Sequence, residues 1–227
     1  MFEGLKALEH GGPSLARRGS AIQHFPNPQP KNEIMTMKLT NDTRSRLLIW
    51  LALAALMAAT RGQQFAPLGQ HLPDASLAVF FLAGFYLGSL RSFLALFAFA
   101  TLIDLTAIGW GGVSGYCLTP AYWLLVPAYG SVWAAGRWYA GRHQVAPSTL
   151  PVLAGALLVG GLAAEAFASG GFYLLSGRFA EVSLVGLGHS LVDYLPGTLL
   201  ALFAYVGLGA LVHLSLMPRR SLDRIPR

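Results

Sequence analysis

The chain has 227 residues, of which 54% are hydrophobic and only 11% are charged, with a formal net charge of +6 and a mean hydropathy of +0.52. Soluble domains carry about 25% charged residues, so this composition excludes an ordinary soluble domain and predicts a polytopic membrane protein. The net positive charge does not indicate nucleic-acid binding, because the basic residues flank apolar segments instead of forming one face interleaved with aromatic residues.

Residues 1–40 differ in composition from the rest of the chain. They contain charged residues and a proline-rich run at 26–30, and they show little apolar periodicity. We therefore predict a disordered N-terminal extension, with Met35 or Met37 as alternative start positions. Residues 41–217 are predicted to form one membrane domain, followed by a basic cytoplasmic tail at 218–227.

Six apolar stretches predict an all-α protein with six transmembrane helices. A helix needs about 20 residues to cross the hydrocarbon core, a length that the later stretches approach. The first three are shorter, which predicts tilted or partly broken helices. The stretches are 47–60, 75–90, 92–108, 119–136, 150–169 and 189–217.

The basic residues predict how this bundle is oriented. With six spans, nearly all of them fall on one side of the membrane, which the positive-inside rule assigns to the cytoplasm. The opposite loops carry only Arg61 and Arg178. Both termini are therefore predicted to be cytoplasmic. The residues that decide this are Lys38, Arg44, Arg46, Arg91, Arg137, Arg142, His143, Arg219, Arg220, Arg224 and Arg227.

Polar side chains collect at the predicted outer ends of the spans. Ionisable residues in such places are costly and usually face a cavity or a partner, but each has a simpler interpretation. Asp104 could pair with a neighbour at the interface, Asp74 could cap the second helix, and His189 could cap or hydrate the last helix. The set comprises His71, Asp74, Asp104, Tyr116, Cys117, Tyr122, Arg178, Glu181, His189 and Asp193.

Cys117 is the only cysteine in the chain. A buried free cysteine usually packs as a small apolar residue, but this one follows a glycine-rich run at 109–115 and precedes the fourth apolar stretch. A helix N-terminus favours a thiolate, and a thiolate suits a late transition metal. Because no Cys/His spacing completes a protein metal site, one thiolate fits best as an axial ligand to a metal already held in a macrocycle, namely a haem or a corrinoid.

The pattern Asp104 … Gly-Tyr-Cys-Leu-Thr-Pro-Ala-Tyr-Trp at 115–123 resembles the BtuM family. These are solitary substrate-binding S-components of the energy-coupling-factor (ECF) type, found in Gram-negative bacteria and devoted to cobalamin (vitamin B12). The resemblance covers residues 41–217. It implies a six-helix S-component bundle in the bacterial inner membrane that binds cobalamin from the periplasm and delivers it to the cytoplasm.

The resemblance also implies roles for individual residues. Cys117 would be the axial ligand of the cobalt, while Asp104, Tyr122 and His71 would line the pocket. Arg178 is the predicted counterpart of a family arginine, and Tyr116 could pack on the apolar face of the corrin ring. The chain is expected to be a transport protein rather than an enzyme, with removal of cyanide from cyanocobalamin by the thiolate as an accessory hypothesis.

The first apolar stretch contains two pairs of small residues four positions apart, Ala54/Ala58 and Ala55/Ala59. Such pairs let another helix approach closely in lipid. They predict packing inside the bundle or docking onto a partner such as an ECF energising module with its scaffold and ATPases. The sequence has no Gly-x-x-x-x-Gly-Lys-Ser/Thr phosphate loop, so ATP hydrolysis by this chain itself is not expected.

Three other functions remain open from the sequence. Gly-Val-Ser-Gly at 112–115 together with His189 matches the serine and histidine of a rhomboid-like intramembrane protease, in which histidine would be the general base for Ser114. An S-component for another vitamin is the second alternative. A structural subunit without a ligand is the third, and it predicts that Cys117 tolerates replacement by serine.

Overall fold

The computed structural model describes residues 43–61, 72–111, 114–144 and 146–216. Every regular element in these residues is helical, which confirms the predicted all-α architecture. The N-terminal extension predicted at 1–40, the candidate residue His71 and the tail predicted at 218–227 lie outside the described residues.

Seven α-helices and several short helical turns make up the described chain. Helices α5 and α6 are joined by a π-helical segment, Ala166–Gly170, so that they form one continuous rod. Short 3-10 turns occupy Gly115–Cys117, Pro120–Leu124 and Pro147–Thr149. The helices are α1 (Thr43–Arg61), α2 (Ser76–Tyr86), α3 (Leu90–Gly109), α4 (Leu125–Ala140), α5 (Leu150–Glu165), α6 (Gly171–Leu175) and α7 (Leu184–Leu216).

Each of the six predicted apolar stretches coincides with helical structure, although several boundaries differ. Four helical segments are long and apolar enough to cross a membrane: Thr43–Arg61, Leu90–Gly109, Pro147–Leu175 and Leu184–Leu216. Helix α1 begins at Thr43, so it includes a charged turn before residue 47 and is longer than predicted. The last helix begins at Leu184, so His189 lies inside α7 and does not open it.

Helix α2 forms the centre of the bundle. It has only 11 residues, and eight of them are buried, with Val79, Phe80 and Phe81 almost wholly inaccessible. A helix that is apolar on all sides is expected in the interior of a bundle. Helices α1, α3, α4 and α7 all contact α2, so it is surrounded by protein on every side.

Helices α2 and α4 approach each other through glycine. A methyl group placed on Gly84 would overlap the carbonyl oxygen of Trp133, and one placed on Gly136 would overlap the carbonyl oxygen of Phe81. Small residues at a crossing let helix backbones meet closely in a membrane bundle. These two glycines therefore set the separation of α2 and α4.

The two small-residue pairs of α1 are placed differently. Ala54 is buried in the core cluster, and Ala58 is half-buried on the same side of the helix. Ala55 and Ala59 are both exposed. The first pair thus contributes to internal packing, and the second pair leaves a small-residue face on the outside of the bundle.

Two arginines fix the turn between α2 and α3. The guanidinium of Arg46 donates to the carbonyl oxygen of Leu87 at 3.1 Å, and that of Arg137 donates to the carbonyl oxygen of Gly88 at 2.7 Å. Gly88 has φ +55°, a left-handed conformation that glycine adopts without steric cost. We call this part of the molecule the Arg137 end and the opposite part the Arg61 end.

Candidate functional site

A bidentate ion pair lies at the Arg61 end. Nε and Nη2 of Arg61, the last residue of α1, donate to the two carboxylate oxygens of Asp104 in α3, each at 2.6 Å. Both side chains are largely buried, with 11% and 15% of their surfaces exposed. Paired, coplanar hydrogen bonds of this kind are the strongest that arginine makes, so the pair locks α1 to α3.

The remaining nitrogen of the same guanidinium extends this network to two further helices. Arg61 Nη1 donates to Ser76 Oγ at 2.9 Å and to Tyr129 Oη at 2.8 Å, and it lies 3.4 Å from Asp74 Oδ2. One arginine therefore joins α1, α3, the start of α2 and the first third of α4. We call Arg61, Asp74, Ser76, Asp104 and Tyr129, with Tyr122, the Arg61 network.

Tyr122 connects this network to the turn that carries the cysteine motif. Its hydroxyl donates to Asp104 Oδ2 at 2.8 Å, and its distance to Thr101 Oγ1 is 3.4 Å. Tyr122 lies in the 3-10 turn Pro120–Leu124, which begins three residues after Cys117. The predicted pair Asp104 and Tyr122 is thus in direct contact.

A cleft of about 610 Å³ lies between α3 and residues 118–123. Its walls are mostly apolar, and it is open on one side, because Leu102, Leu105 and Trp123 are about half exposed or more. Thr119 Oγ1 is buried and has no hydrogen-bond partner among the described residues. The lining residues are Phe97, Ala98, Thr101, Leu102, Leu105, Leu118, Thr119, Tyr122 and Trp123.

A second predicted pair, Tyr116 and Arg178, is also in contact. The Arg178 guanidinium carbon lies 4.6 Å from the centre of the Tyr116 ring, and Nη2 of Arg178 donates to the Tyr116 carbonyl oxygen at 3.4 Å. The Tyr116 ring also packs against Phe172 at 5.8 Å between ring centres. This contact holds the loop after α6 against the turn Gly115–Cys117.

The candidate residues therefore form two contacting pairs, Tyr122 with Asp104 and Tyr116 with Arg178. The two tyrosines lie on either side of position 117 in the chain. The backbone of Cys117 closes the 3-10 turn Gly115–Cys117, but its side chain, like His71, lies outside what the structure describes. The pairing alternative for Asp104 is confirmed by its contacts with Arg61. The N-cap of α2 is Ala75 and not Asp74, but Asp74 accepts the backbone N–H of Ser76 at 3.0 Å, so it stabilises the start of α2 from the preceding position.

The protease alternative depends on a contact between Ser114 and His189. Ser114 Oγ accepts the backbone N–H of Tyr116 at 3.3 Å, which caps the 3-10 turn. Within the described ranges, no hydrogen bond joins Ser114 to His189, and no three His, Cys, Asp or Glu side chains are grouped as metal ligands.

Sequence reasoning missed three residues that the structure makes prominent. Arg61 was predicted only as one of two basic residues in the outer loops, and Thr119 was noted only as part of the cysteine motif. Glu165 was overlooked inside the fifth apolar stretch. A signal was present for Arg61 and Glu165, since a single charged residue beside or inside an apolar helix usually has a specific partner.

Glu165 is a buried carboxyl group between α5 and α7. The residue is 4% exposed, and Thr198 Oγ1 donates to its Oε2 at 2.8 Å. The hydroxyl of Ser169, in the π-helical segment, donates to Oε1. Both partners are neutral hydroxyl groups, so these contacts leave the charge of a carboxylate uncompensated.

Two histidines pack together at the Arg137 end. The rings of His143 and His213 lie 6.0 Å apart, with Nδ1 of each within 3.0 Å of a tyrosine hydroxyl, Tyr139 for the first and Tyr86 for the second. Burial, with a smaller contribution from His213, holds the pKa of His143 below its usual value.

We expect this cluster to make stability depend on pH. Because the pKa of His143 is lower in the folded than in the unfolded state, the unfolded state binds more protons as the pH falls. The neutral ring therefore stabilises the fold above about pH 6.5, and this contribution is lost as the pH falls below that value. Thermal unfolding between pH 7.5 and 5 should show a smaller loss for His143→Gln than for the wild type, and equal losses would contradict the prediction.

Comparison with protein-family models finds none that matches this chain, and no curated protein matches it.

Proposed function

We propose that the chain is a bacterial inner-membrane transport protein for cobalamin, with Cys117 as the axial ligand of the cobalt. In this proposal the corrin ring lies over the turn that carries Cys117. Asp104, Tyr122 and His71 contact its edge and side-chain amides, while Tyr116 and Arg178 bound the site from the other side. The proposal starts from the resemblance of residues 104–123 to the BtuM family.

The observation that carries this proposal is the cleft directly beside position 117. Leu118, Thr119 and Tyr122 contribute to its wall, so a ligand in the cleft would be within reach of the cysteine turn. Its walls suit an apolar ring face, and the unpartnered Thr119 hydroxyl suits an amide on the ring edge. Ligand sites commonly combine apolar walls with a few polar groups in this way.

The charge distribution supports a membrane orientation for this proposal. The Arg137 end carries Arg46, Arg91, Arg137 and Arg142, and cytoplasmic ends of membrane proteins are enriched in such residues. In our proposal six helical segments cross the bilayer with the Arg61 end toward the periplasm. The cleft would then receive its ligand from the periplasmic side.

The outer face of α1 suits a helical partner in this proposal. Ala55 and Ala59 are exposed four residues apart, which is the spacing that permits close helix contact in lipid. An ECF energising module is the partner that the resemblance implies. Ala54 and Ala58 are less suited to such docking, because they are turned toward the core.

The test is the visible absorption spectrum of the purified protein after incubation with cobalamin, compared with that of Cys117→Ala. We expect the wild type to retain a corrinoid whose spectrum is altered by sulfur ligation. The variant should lose this alteration and bind at least about tenfold more weakly, or about 1.4 kcal/mol. Cyanocobalamin as the ligand tests the accessory hypothesis, because thiolate attack on cobalt would release cyanide.

A matched control is Ser114→Ala, three residues earlier in the same loop. This variant should bind cobalamin as the wild type does. If the protein were instead a serine protease, the same variant should lose its reactivity toward a fluorophosphonate. Binding with an unaltered spectrum would keep the transport function and remove the ligand role of Cys117. Absence of bound corrinoid in the folded wild type would overturn the proposal and favour another vitamin or the protease.

A further inference from the structure

The carboxyl group of Glu165 lies where two long apolar helical segments meet. Thr198 is in the middle third of α7, and Ser169 is one turn beyond Glu165 in the segment that continues α5. We propose that Glu165, Ser169 and Thr198 form a binding site for one small monovalent cation, either a proton or a sodium ion, that neutralises the carboxylate. This inference is independent of the substrate proposed above.

A carboxylate buried without a counter-charge is costly. Moving an unpaired carboxylate from water into an apolar interior is strongly unfavourable, and such groups are normally neutralised, paired or bound to a metal. Glu165 is 4% exposed, and both ion pairs of Arg61 are made with other carboxylates, those of Asp74 and Asp104. Its negative charge therefore needs a counter-charge that the neighbouring side chains do not supply.

The charged residues and histidines on the surrounding helices either have other contacts or are exposed. On α4, Arg137 donates to the Gly88 carbonyl and lies over the ring of Trp133. On α7, His213 is within hydrogen-bond distance of Tyr86, whereas His189 and Asp193 are exposed. In the turn before α4, Tyr122 donates to Asp104. Among the described residues, none of these groups has a hydrogen bond or ion pair with Glu165.

The oxygen atoms of Glu165, Ser169 and Thr198 suit a small cation. One carboxylate and two hydroxyl groups are hard oxygen ligands, which suit small, weakly polarisable cations and not late transition metals. A single negative charge matches a monovalent ion. A proton would convert Glu165 into a carboxylic acid that donates to one hydroxyl and accepts from the other, since a hydroxyl group can play either part.

The helices on both sides of Glu165 depart from regular α-helical geometry near its carboxyl group. Ser169 reaches Glu165 from a π-helical segment, Ala166–Gly170, and such segments occur frequently at functional sites. Pro196, two residues before Thr198, lies inside α7, where it removes one helical N–H donor. Both helices are therefore irregular at the level of the carboxyl group. A cation here would join α5 to α7 at that level.

The first experiment compares the thermal unfolding of the wild type and Glu165→Gln in detergent. Sodium chloride is exchanged for choline chloride at constant ionic strength, at two pH values. Relative to Glu165→Gln, we expect the wild type to gain several degrees in melting temperature with sodium or with acid, because a ligand of the folded state stabilises it. Glu165→Gln keeps an amide oxygen and an amide nitrogen that can hydrogen-bond to the two hydroxyl groups. Because it has no carboxylate, its melting temperature should not show this gain. Both proteins contain His143 and His213, so the difference between them isolates Glu165.

Infrared difference spectroscopy then separates the two cations. A bound proton should give the carbonyl band of a carboxylic acid that shifts in D₂O and is missing from Glu165→Gln. Bound sodium should shift the carboxylate bands when the ion is added, again only in the wild type. Glu181→Gln, which changes an exposed carboxyl group, is the matched control and should respond as the wild type does.

A second variant keeps the experiment informative if Glu165→Gln does not fold. Thr198→Val keeps the carboxyl group and the side-chain shape, and it should retain the response to the cation but need several times more of it. The proposal is overturned if the wild type, Thr198→Val and Glu181→Gln all unfold at temperatures independent of sodium and show, at every pH, no carboxylic acid band that is missing from Glu165→Gln. Glu165 would then be a carboxylate held by its two hydroxyl groups alone.

Discussion

Replacing Arg61 with methionine should lower the free energy of unfolding by about 3–5 kcal/mol, the usual cost of leaving a buried charge without its partner. The variant keeps a long apolar side chain at the end of α1 but removes the donors to Asp104, Ser76 and Tyr129. Asp104, with 15% of its side chain exposed, would keep only Tyr122 and any water that reaches it. The measurement is unfolding of the purified protein in detergent, with helix content followed by circular dichroism.

The double variant Arg61→Met, Asp104→Leu is the control for this interpretation. Because it removes both charges, we expect it to be more stable than Arg61→Met alone, so the two substitutions should be strongly non-additive. Additive losses would mean that the ion pair contributes little and that packing of the arginine stem explains the effect. The same variants should weaken cobalamin binding if Asp104 positions Tyr122 at the cleft, as proposed.

Replacing Gly136 with alanine should destabilise the bundle by about 1–3 kcal/mol, the usual cost of overpacking. The added methyl group would overlap the carbonyl oxygen of Phe81 in α2, and a backbone atom of a buried helix cannot move aside by changing rotamer. The helices must therefore separate at their crossing. Thermal unfolding of the variant measures the cost.

The matched control for this substitution is Gly130→Ala in the same helix. A methyl group at Gly130 would meet no atom within 4 Å, and alanine is favoured over glycine inside a helix by up to about 1 kcal/mol. We expect this variant to be as stable as the wild type or slightly more stable. Equal losses in the two variants would show that the crossing of α2 and α4 does not depend on close backbone contact.

The positions of the helices could be predicted from the sequence because they depend on local composition. Long apolar runs ending at charged or glycine-rich residues identify α1, α3 and α7 without knowledge of their neighbours. The boundaries were less accurate. Helix α1 begins before the predicted apolar stretch and includes Arg46, whose guanidinium donates to the carbonyl oxygen of Leu87. This partner is 41 residues away in the chain, so the local sequence does not reveal it.

The candidate site was predictable only in part, because the partners of its charges come from distant segments. The motif around Cys117 drew attention to Asp104 and Tyr122, which are in contact. The role of Arg61 depends on the end of α1 lying beside α3, a fact of tertiary packing. Glu165 was missed although it is a single charged residue inside an apolar stretch, because its contact with Thr198, 33 residues away in the chain, depends on tertiary packing.

The short length of α2 has a consequence for how the protein fits a bilayer. Eleven residues span only about 16 Å at 1.5 Å per residue, so the chain leaves the helix within the thickness of a membrane. Backbone without helical hydrogen bonds is tolerated at that depth only when protein satisfies it. Thr60 Oγ1 accepts the N–H of Ala75 at 3.2 Å, and Tyr205 donates to the Pro73 carbonyl at 2.8 Å. Because its neighbours enclose it, α2 need not match the hydrophobic thickness of the lipid, and only the outer helices would adjust their tilt when that thickness changes.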